Sequence, residues 1–322
     1  MKFLRTALVV SALLILAAII IVPVIINTGD SKKIIVVGGK DFTEQSVLAE
    51  IMSIMIEHHM DVEVDRKLYL GGTMICFNAL NAGDLDLYAE YTGTGLVSIL
   101  KEPTLKNSGQ VYSTVKKQFN EDYNLSWLKP FGFDNTYTLT MRKEQADRLG
   151  IDKITDLADY LQQPDSEKLT AGFNAEFLER PDGYAGLIQA YDIEFKSKPR
   201  QMDSGLMYKA CADGSVDVIC AFATDGRIAA YDLVTLKDDK NFFPPYQAAP
   251  LVRAQVLGVY PRLENILNRL AGRIDNTTMQ KLNYQVDRSK NSKSAHEAAW
   301  DFLLSEQLIN VKENNNKQKT NS

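Results

Sequence analysis

Two stretches of the chain share one layout, and this repeat restricts the folds that the sequence can adopt. One runs from Gly83 to Tyr91 and the other from Gly214 to Phe222; in both, an Asp lies three residues after the Gly and the aromatic residue eight after it. Each stretch predicts a helix that stops at the Gly, followed by a short buried strand that ends at the aromatic. The repeat therefore predicts two similar α/β halves, each with a ring at the carboxyl edge of its sheet, where open α/β sheets bind ligands. Because α/β units often look alike, the repeat alone leaves open that it reflects the fold and no site.

The composition excludes several classes of protein. A chain of 322 residues is long enough for two domains with appendages. Its net charge of −5 provides no basic face for nucleic acid. Of the three histidines, His58 and His59 are adjacent and point to different sides of a helix, so no metal site is predicted. Cys76, Cys211 and Cys220 form no C-x-x-C pair and are expected to be packed small side chains. Neither a metal nor a cofactor is predicted.

Residues 1–29 are predicted to be a membrane segment. Lys2 and Arg5 precede an apolar run from Ala7 to Ile26, about the 20 residues that span a hydrocarbon core. Basic residues before the run favour a cytoplasmic N-terminus, which places the rest of the chain outside the cytoplasm. The length favours an uncleaved anchor, and a cleaved signal peptide with a secreted or periplasmic product is the alternative.

The order of the elements predicts two lobes joined by a hinge. From Lys33 onward the pattern is β-α-β-α-β, typical of a mostly parallel sheet with helices on both faces. Extended segments at Tyr137–Arg142 and Phe243–Tyr246 predict two crossings, the second because its prolines exclude a helix. We expect lobe I at residues 30–136 and 246–310, lobe II at residues 137–245, and a polar, disordered tail at residues 311–322.

Further patterns predict individual elements. Asp41-x-x-Glu44 is typical of capping chemistry at the start of a helix over residues 43–60. One long apolar strand is expected from Ala248 to Tyr260, and a shorter one between Asp122 and Lys129. Three helices are expected after these, over residues 261–271, 276–286 and 294–304.

Four aromatic residues fall at special positions of this layout. Tyr91 and Phe222 lie at strand ends, and Tyr137 and Tyr246 lie at the two crossings. Rings that converge from both lobes would form a cage for a quaternary ammonium group, which cannot donate hydrogen bonds and is attracted to ring faces. The alternative is that all four are core aromatics, since most of the 14 Tyr and 13 Phe must be buried somewhere.

Three polar residues complete a candidate site for a zwitterion. Lys40 follows the first strand, and Thr94 lies in a turn where a helix N-terminus offers N–H groups to an anion. Arg180, on a loop of the other lobe, can bind a carboxylate with its planar guanidinium. The alternatives are that Lys40 and Arg180 are solvated and that Thr94 is only a helix cap.

Here the chain resembles the substrate-binding proteins of ABC importers for glycine betaine, carnitine, choline and related osmoprotectants. The resemblance rests on residues 39–45, 70–73, 86–95, 180–183, 221–227, 236–246 and 282–287. It implies a bilobal type II periplasmic-binding-protein fold, an ABC permease with its ATPase as partners, and no catalysis. By position it implies an aromatic box at Tyr91, Tyr137, Phe222 and Tyr246, carboxylate contacts at Lys40, Thr94 and Arg180, and a backbone carbonyl beside the cation at Asn135.

Two features depart from the family pattern. Phe222 stands where members have Tyr, which keeps the ring face and removes a hydroxyl. No lipobox cysteine ends the N-terminal segment, so the resemblance does not explain how the protein is tethered. Which quaternary ammonium compound is preferred is left open.

Other functions are weighed against this hypothesis. Gly93-Thr94-Gly95 follows a strand as in nicotinamide-dependent enzymes, but Ser98 takes the place of the third glycine. Asp84, Asp86 and Glu90 could act in acid–base chemistry, although solvation or capping at a helix end suffices to explain them. A sensor ectodomain for the same solutes stays open.

Overall fold

The computed structural model describes residues 33–164, 168–288 and 290–310. Its strands are, in chain order, β1 (Ile34–Gly38), β2 (Glu63–Lys67), β3 (Leu87–Tyr91), β4 (Leu125–Trp127), β5 (Tyr137–Arg142), β6 (Ala171–Phe173), β7 (Arg200–Gln201), β8 (Val218–Phe222), β9 (Leu233–Thr235) and β10 (Ala248–Arg253). They form two five-stranded sheets: sheet I has the order β2-β1-β3-β10-β4, and sheet II the order β7-β6-β8-β5-β9.

The helices surround these sheets in a mixed α/β arrangement. They are α1 (Thr43–His59), α2 (Thr73–Ala82), α3 (Ser108–Tyr123), α4 (Lys143–Leu149), α5 (Ile154–Gln162), α6 (Ala175–Glu179), α7 (Tyr184–Tyr191), α8 (Met207–Ala212), α9 (Arg227–Ala230), α10 (Ala254–Val259), α11 (Leu263–Leu267), α12 (Asn276–Asp287) and α13 (Ala295–Ser305). A helical turn at Thr92–Thr94 continues into a π-helical segment at Gly95–Ile99, and Asn268–Leu270 forms a 3₁₀ turn.

The two sheets have equivalent topologies. In sheet I, β10 pairs antiparallel with β3, and in sheet II, β5 pairs antiparallel with β8. The chain enters sheet II through β5 and returns to sheet I through β10, so the returning strands lie beside the strands that end at the repeated aromatics. In this register Tyr137 lies opposite Phe222, and Ala248 opposite Tyr91.

The repeated aspartates explain part of the shared layout. Asp86 accepts a hydrogen bond from the backbone N–H of Val36 at 2.9 Å, and Asp217 accepts one from that of Thr170 at 2.8 Å. Each aspartate thus ties its strand to the neighbouring parallel strand. Each also pairs with an arginine at the end of the antiparallel strand, Arg253 in sheet I and Arg142 in sheet II.

Several boundaries differ from the sequence-based expectations. The long strand expected from Ala248 to Tyr260 ends at Arg253, and α10 follows at once. Helix α3 was not predicted. Because it extends to Tyr123, the strand expected between Asp122 and Lys129 is limited to β4 at Leu125–Trp127. Glu44 does not cap α1: the residue at its N-cap is Phe42, without a side-chain hydrogen bond.

Helix α1 forms the centre of the core beside sheet I. Its residues from Val47 to Ile56 are almost fully buried, because α11, α12 and α13 all contact it. The three cysteines are free and buried, as expected. None of the helices within residues 33–164, 168–288 and 290–310 has the length and apolarity needed to cross a bilayer. The predicted membrane segment (1–29) and tail (311–322) lie outside the described residues.

Candidate functional site

The residues predicted from the sequence lie around one cavity. Tyr91 and Phe222 are the last residues of β3 and β8, and Tyr137 is the first residue of β5. The wall of the cavity contains every predicted residue, namely Lys40, Tyr91, Thr94, Asn135, Tyr137, Arg180, Phe222 and Tyr246. It also contains Phe42 and Glu176, which the sequence analysis did not assign to the site.

Five aromatic rings contact each other across the cavity. Tyr137 lies 5.1 Å from Phe222 and 5.8 Å from Tyr246 between ring centroids. Phe42 stacks on Phe222 at 5.4 Å and lies 6.4 Å from Tyr91. The rings form one cluster between the two sheets, and Tyr91, Tyr137 and Tyr246 are at the same time buried members of the hydrophobic core.

The space between the rings is small. The centre of a water molecule can occupy about 30 Å³ of it, which is room for one or two waters. A second cavity of about 400 Å³ by the same measure adjoins it and shares Lys40, Phe42, Glu176 and Phe222 with it. The two sheets are therefore closed upon the aromatic cluster in this structure.

Lys40 forms an ion pair with a buried carboxylate. Its Nζ donates hydrogen bonds to Glu90 at 2.7 Å and to the hydroxyl of Thr73 at 2.9 Å. It also lies 5.2 Å from the centroid of the Tyr91 ring. Because Glu90 neutralises the ammonium group, Lys40 contributes less positive charge to the cavity than its position in the sequence suggested.

Arg180 links the two sheets through a network of its own. Its Nε and Nη2 donate to the two carboxylate oxygens of Asp182 at 2.8 and 2.7 Å, and its Nη1 donates to Thr94 Oγ1 at 3.1 Å. The hydroxyl of Tyr246 donates to Asp182 as well, at 2.5 Å. Asp182 thus occupies the bidentate face of Arg180, which the sequence predicts to bind a ligand carboxylate.

A buried carboxylate at Glu44 lies directly behind the rings. Its Oε1 accepts hydrogen bonds from the hydroxyl of Tyr91 at 2.7 Å and from Nδ2 of Asn135 at 2.8 Å. Its Oε2 accepts from the hydroxyl of Thr224 at 2.5 Å and from Nδ2 of Asn283 at 3.1 Å. Burial raises the pKa of Glu44 above its usual value, and the four hydrogen bonds act against that rise.

Acidic side chains lie in the wall of the cavity and directly behind it. Burial alone would raise the pKa of Glu176, but Lys40 and the hydrogen bond from the backbone N–H of Thr73 hold it below its usual value. The wall itself contains Glu176, Lys40 and Arg180. Behind it, Glu90 pairs with Lys40 and Asp182 pairs with Arg180. Because both cations are paired with carboxylates, the ring faces are the feature of the cavity that favours a cation.

Three of these carboxylates had weak signals in the sequence. Glu44 looked like a capping residue and Glu90 like a residue at a helix end, and the sequence predicts no role for Asp182. The roles of Glu90 and Glu44 depend on partners 50 or more residues away in the sequence, namely Lys40 for Glu90 and Thr224 for Glu44. No local spacing could have indicated those contacts.

A comparison with known protein families identifies the family to which the chain belongs. The family described as the substrate binding domain of ABC-type glycine betaine transport systems matches residues 33–304. Because the match covers most of the chain, the protein belongs to this family of solute-binding proteins.

Individual relatives agree with that assignment. The chain is 40% identical over 273 residues to the ergothioneine transport permease/ergothioneine binding protein EgtU of Helicobacter pylori, covering 84% of this chain and 47% of the relative, so it spans about half of that protein. It is 38% identical over 261 residues to the carnitine transport binding protein OpuCC of Listeria monocytogenes, covering 80% of this chain and 83% of the relative. A crystal structure described as a glycine betaine/carnitine/choline ABC transporter matches with a TM-score of 0.70 and 31% identity, over 86% of this chain and 100% of that one.

Proposed function

We propose that this protein is the extracytoplasmic substrate-binding component of an ABC importer and that it captures a small trimethylammonium carboxylate. The family assignment supports the first part. The second is supported by the names of similar proteins, which refer to ergothioneine, carnitine and glycine betaine. These three compounds share a trimethylammonium group and a carboxylate.

The observation that carries the proposal is the cluster of five aromatic rings around one cavity. Ring faces attract a cation by about 0.5–1 kcal/mol each when exposed and by about 2 kcal/mol when desolvated. Tyr91, Tyr137 and Tyr246 are each at least 95% buried, so their faces act in a desolvated environment. A trimethylammonium group needs no hydrogen-bond acceptor, and the rings provide none at their faces.

The carboxylate of the ligand is assigned to the edge of the cavity at Thr94 and Arg180. Asp182 does not bind Nη1 of Arg180, and this nitrogen together with the hydroxyl of Thr94 can donate to an anion that enters between them. Choline, which lacks a carboxylate, offers these donors only a neutral hydroxyl oxygen, a weaker acceptor. The proposed site therefore favours carboxylated ligands.

Capture requires the two sheets to separate and close again about the crossings near residues 137 and 246. Hydrogen bonds between elements of different sheets hold the closed arrangement, among them those from Arg180 to Thr94, from the N–H of Thr73 to Glu176, and from Thr224 to Glu44. A ligand that contacts both sides stabilises closure because it binds the closed state more tightly. The closed form then delivers the ligand to a permease driven by an ATPase, with residues 1–29 as the membrane anchor.

Calorimetry on the full chain in a maltoside detergent tests this proposal. We expect glycine betaine, carnitine or ergothioneine to bind and to raise the melting temperature by mass action. Replacing Tyr137 by Leu keeps apolar bulk but removes the ring face, and should weaken binding about tenfold. The matched control is Tyr260→Leu, at the end of α10, which should leave affinity unchanged. Absence of binding by every trimethylammonium carboxylate contradicts the proposal.

A further inference from the structure

Glu44 is a buried charge without a cationic partner among the residues that the structure describes. The other buried acids at the cavity differ: Glu90 pairs with Lys40, and Asp182 pairs with Arg180. Glu44 instead receives four hydrogen bonds from neutral groups. A buried charge that is not compensated by an opposite one is costly for a protein, so its presence next to the rings needs an explanation.

The hydrogen bonds of Glu44 supply donors to its carboxylate form and act against the burial that raises its pKa. Each oxygen of Glu44 accepts two hydrogen bonds, which uses its acceptor capacity. Two of the donors are the amide nitrogens of Asn135 and Asn283, which cannot accept a hydrogen bond from a protonated acid. The negative charge is therefore held in place by rigid neutral donors.

One hydrogen bond connects this charge to the wall of the cavity through a ring. The hydroxyl of Tyr91 donates to Glu44 and accepts from Nε2 of Gln45 at 3.1 Å. Donation to a carboxylate polarises the phenol and makes its ring face more negative. The attraction of this face for a cation then increases.

A second hydrogen bond fixes the orientation of Asn135. Because Nδ2 of Asn135 donates to Glu44, the position of its Oδ1 is also determined. Asn135 lies in the cavity wall and is 5% exposed, and its Oδ1 is buried without a hydrogen-bond partner among the described residues. Such an oxygen can accept the weak C–H contacts of the positively polarised N-methyl groups.

We propose that Glu44 is a specificity-determining residue that makes the aromatic cluster select a positively charged head group over a neutral group of the same shape. It acts as a positioning residue, through Tyr91 and Asn135, and as the source of a negative field. This inference rests on the proposed function, since it concerns the same ligand. A purely structural role, in which Glu44 only ties Thr224 and Asn283 to α1, makes a different prediction: it affects charged and neutral ligands equally.

Two isosteric pairs of compounds separate these roles. Glycine betaine and 3,3-dimethylbutanoate differ in whether nitrogen or carbon carries the three methyl groups, and so do choline and 3,3-dimethylbutan-1-ol. Titrating the full chain with each compound by calorimetry measures the preference for the charged head. In the Glu44→Gln variant we expect this preference to fall about tenfold in at least one pair, through loss of affinity for the cation.

Matched variants control for folding. Glu50→Gln changes a buried acid of the same helix that pairs with Arg66, and should leave the preference unchanged. Tyr91→Phe removes only the hydroxyl that bonds to Glu44, and should lower the preference in the same direction even if Glu44→Gln does not fold.

The outcomes distinguish the two proposals. In one outcome the wild-type protein binds the cations, but the Glu44→Gln and Tyr91→Phe variants retain the full preference or lose affinity equally for both members of a pair. The role proposed for Glu44 is then wrong, and the proposed function stands. If the wild-type protein binds no trimethylammonium compound, the proposed function is wrong and the inference fails with it.

Discussion

Two nitrogens of the Arg180 guanidinium group bind an internal partner, and the third contacts a residue of the cavity wall. Nε and Nη2 are held by Asp182, whose Oδ2 also accepts the hydroxyl of Tyr246. The remaining nitrogen, Nη1, reaches Thr94 on the other side of the cavity. Asp182 therefore orients the guanidinium, and the Thr94 hydroxyl marks the place where an anion can replace an internal contact.

Replacing Thr94 by Val tests this placement at the residue scale. The change keeps the shape of the side chain and removes one donor, so we expect glycine betaine or carnitine affinity to fall by about 1 kcal/mol. Choline affinity should change much less, because choline has no carboxylate. Isothermal titration measures both. Thr138→Val, on β5, is the matched control and should leave both affinities unchanged; equal losses for both ligands in the Thr94→Val variant contradict the assignment.

At the scale of elements, the repeated aspartates hold the strands that carry the rings. Asp217 accepts from the N–H and hydroxyl of Thr170, from Gln145 and from Arg142. Burial alone would raise the pKa of Asp217, but these hydrogen bonds hold it below its usual value of 3.8. A lowered pKa in the folded state means that ionised Asp217 stabilises the fold above the unfolded pKa, and that this contribution is lost as the pH falls.

Asp217→Asn should therefore reduce the free energy of unfolding at pH 7 by about 2 kcal/mol. The difference from the wild type should shrink as the pH falls below about 4, where the unfolded chain begins to bind the proton. Urea unfolding of the variant and the wild type at several pH values measures this difference in the free energy of unfolding. Asp84→Asn, in the equivalent stretch from Gly83 to Tyr91, changes an exposed acid and should have little effect on the free energy of unfolding. A difference that is independent of pH contradicts the electrostatic explanation.

Elements were predictable where local pattern and packing agree. Thr73–Ala82 ends at Gly83, whose φ of 91° suits glycine, as the sequence indicated. Helix α3 was missed because only Val111, Val115 and Phe119 are buried on an otherwise polar surface. The strand from Ala248 was extended too far because the apolar run continues into α10, whereas the end of β10 depends on the tertiary pairing of Arg253 with Asp86.

At the scale of the whole molecule, the cavity exists because the two sheets meet. The sequence identified its aromatic residues from their positions at strand ends and crossings, and the family resemblance indicated which rings belong together. It did not indicate Phe42, Glu44 or Glu176, since their importance arises from contacts between distant segments.

A crystal structure of the protein with glycine betaine or carnitine bound tests the central claim most directly. We predict the quaternary nitrogen among Tyr91, Tyr137, Phe222 and Tyr246, within about 6 Å of at least three ring centroids, and the carboxylate within hydrogen-bonding distance of Thr94 or Arg180. A ligand bound elsewhere, with the rings still packed against one another, or a carboxylate among the rings, contradicts the account.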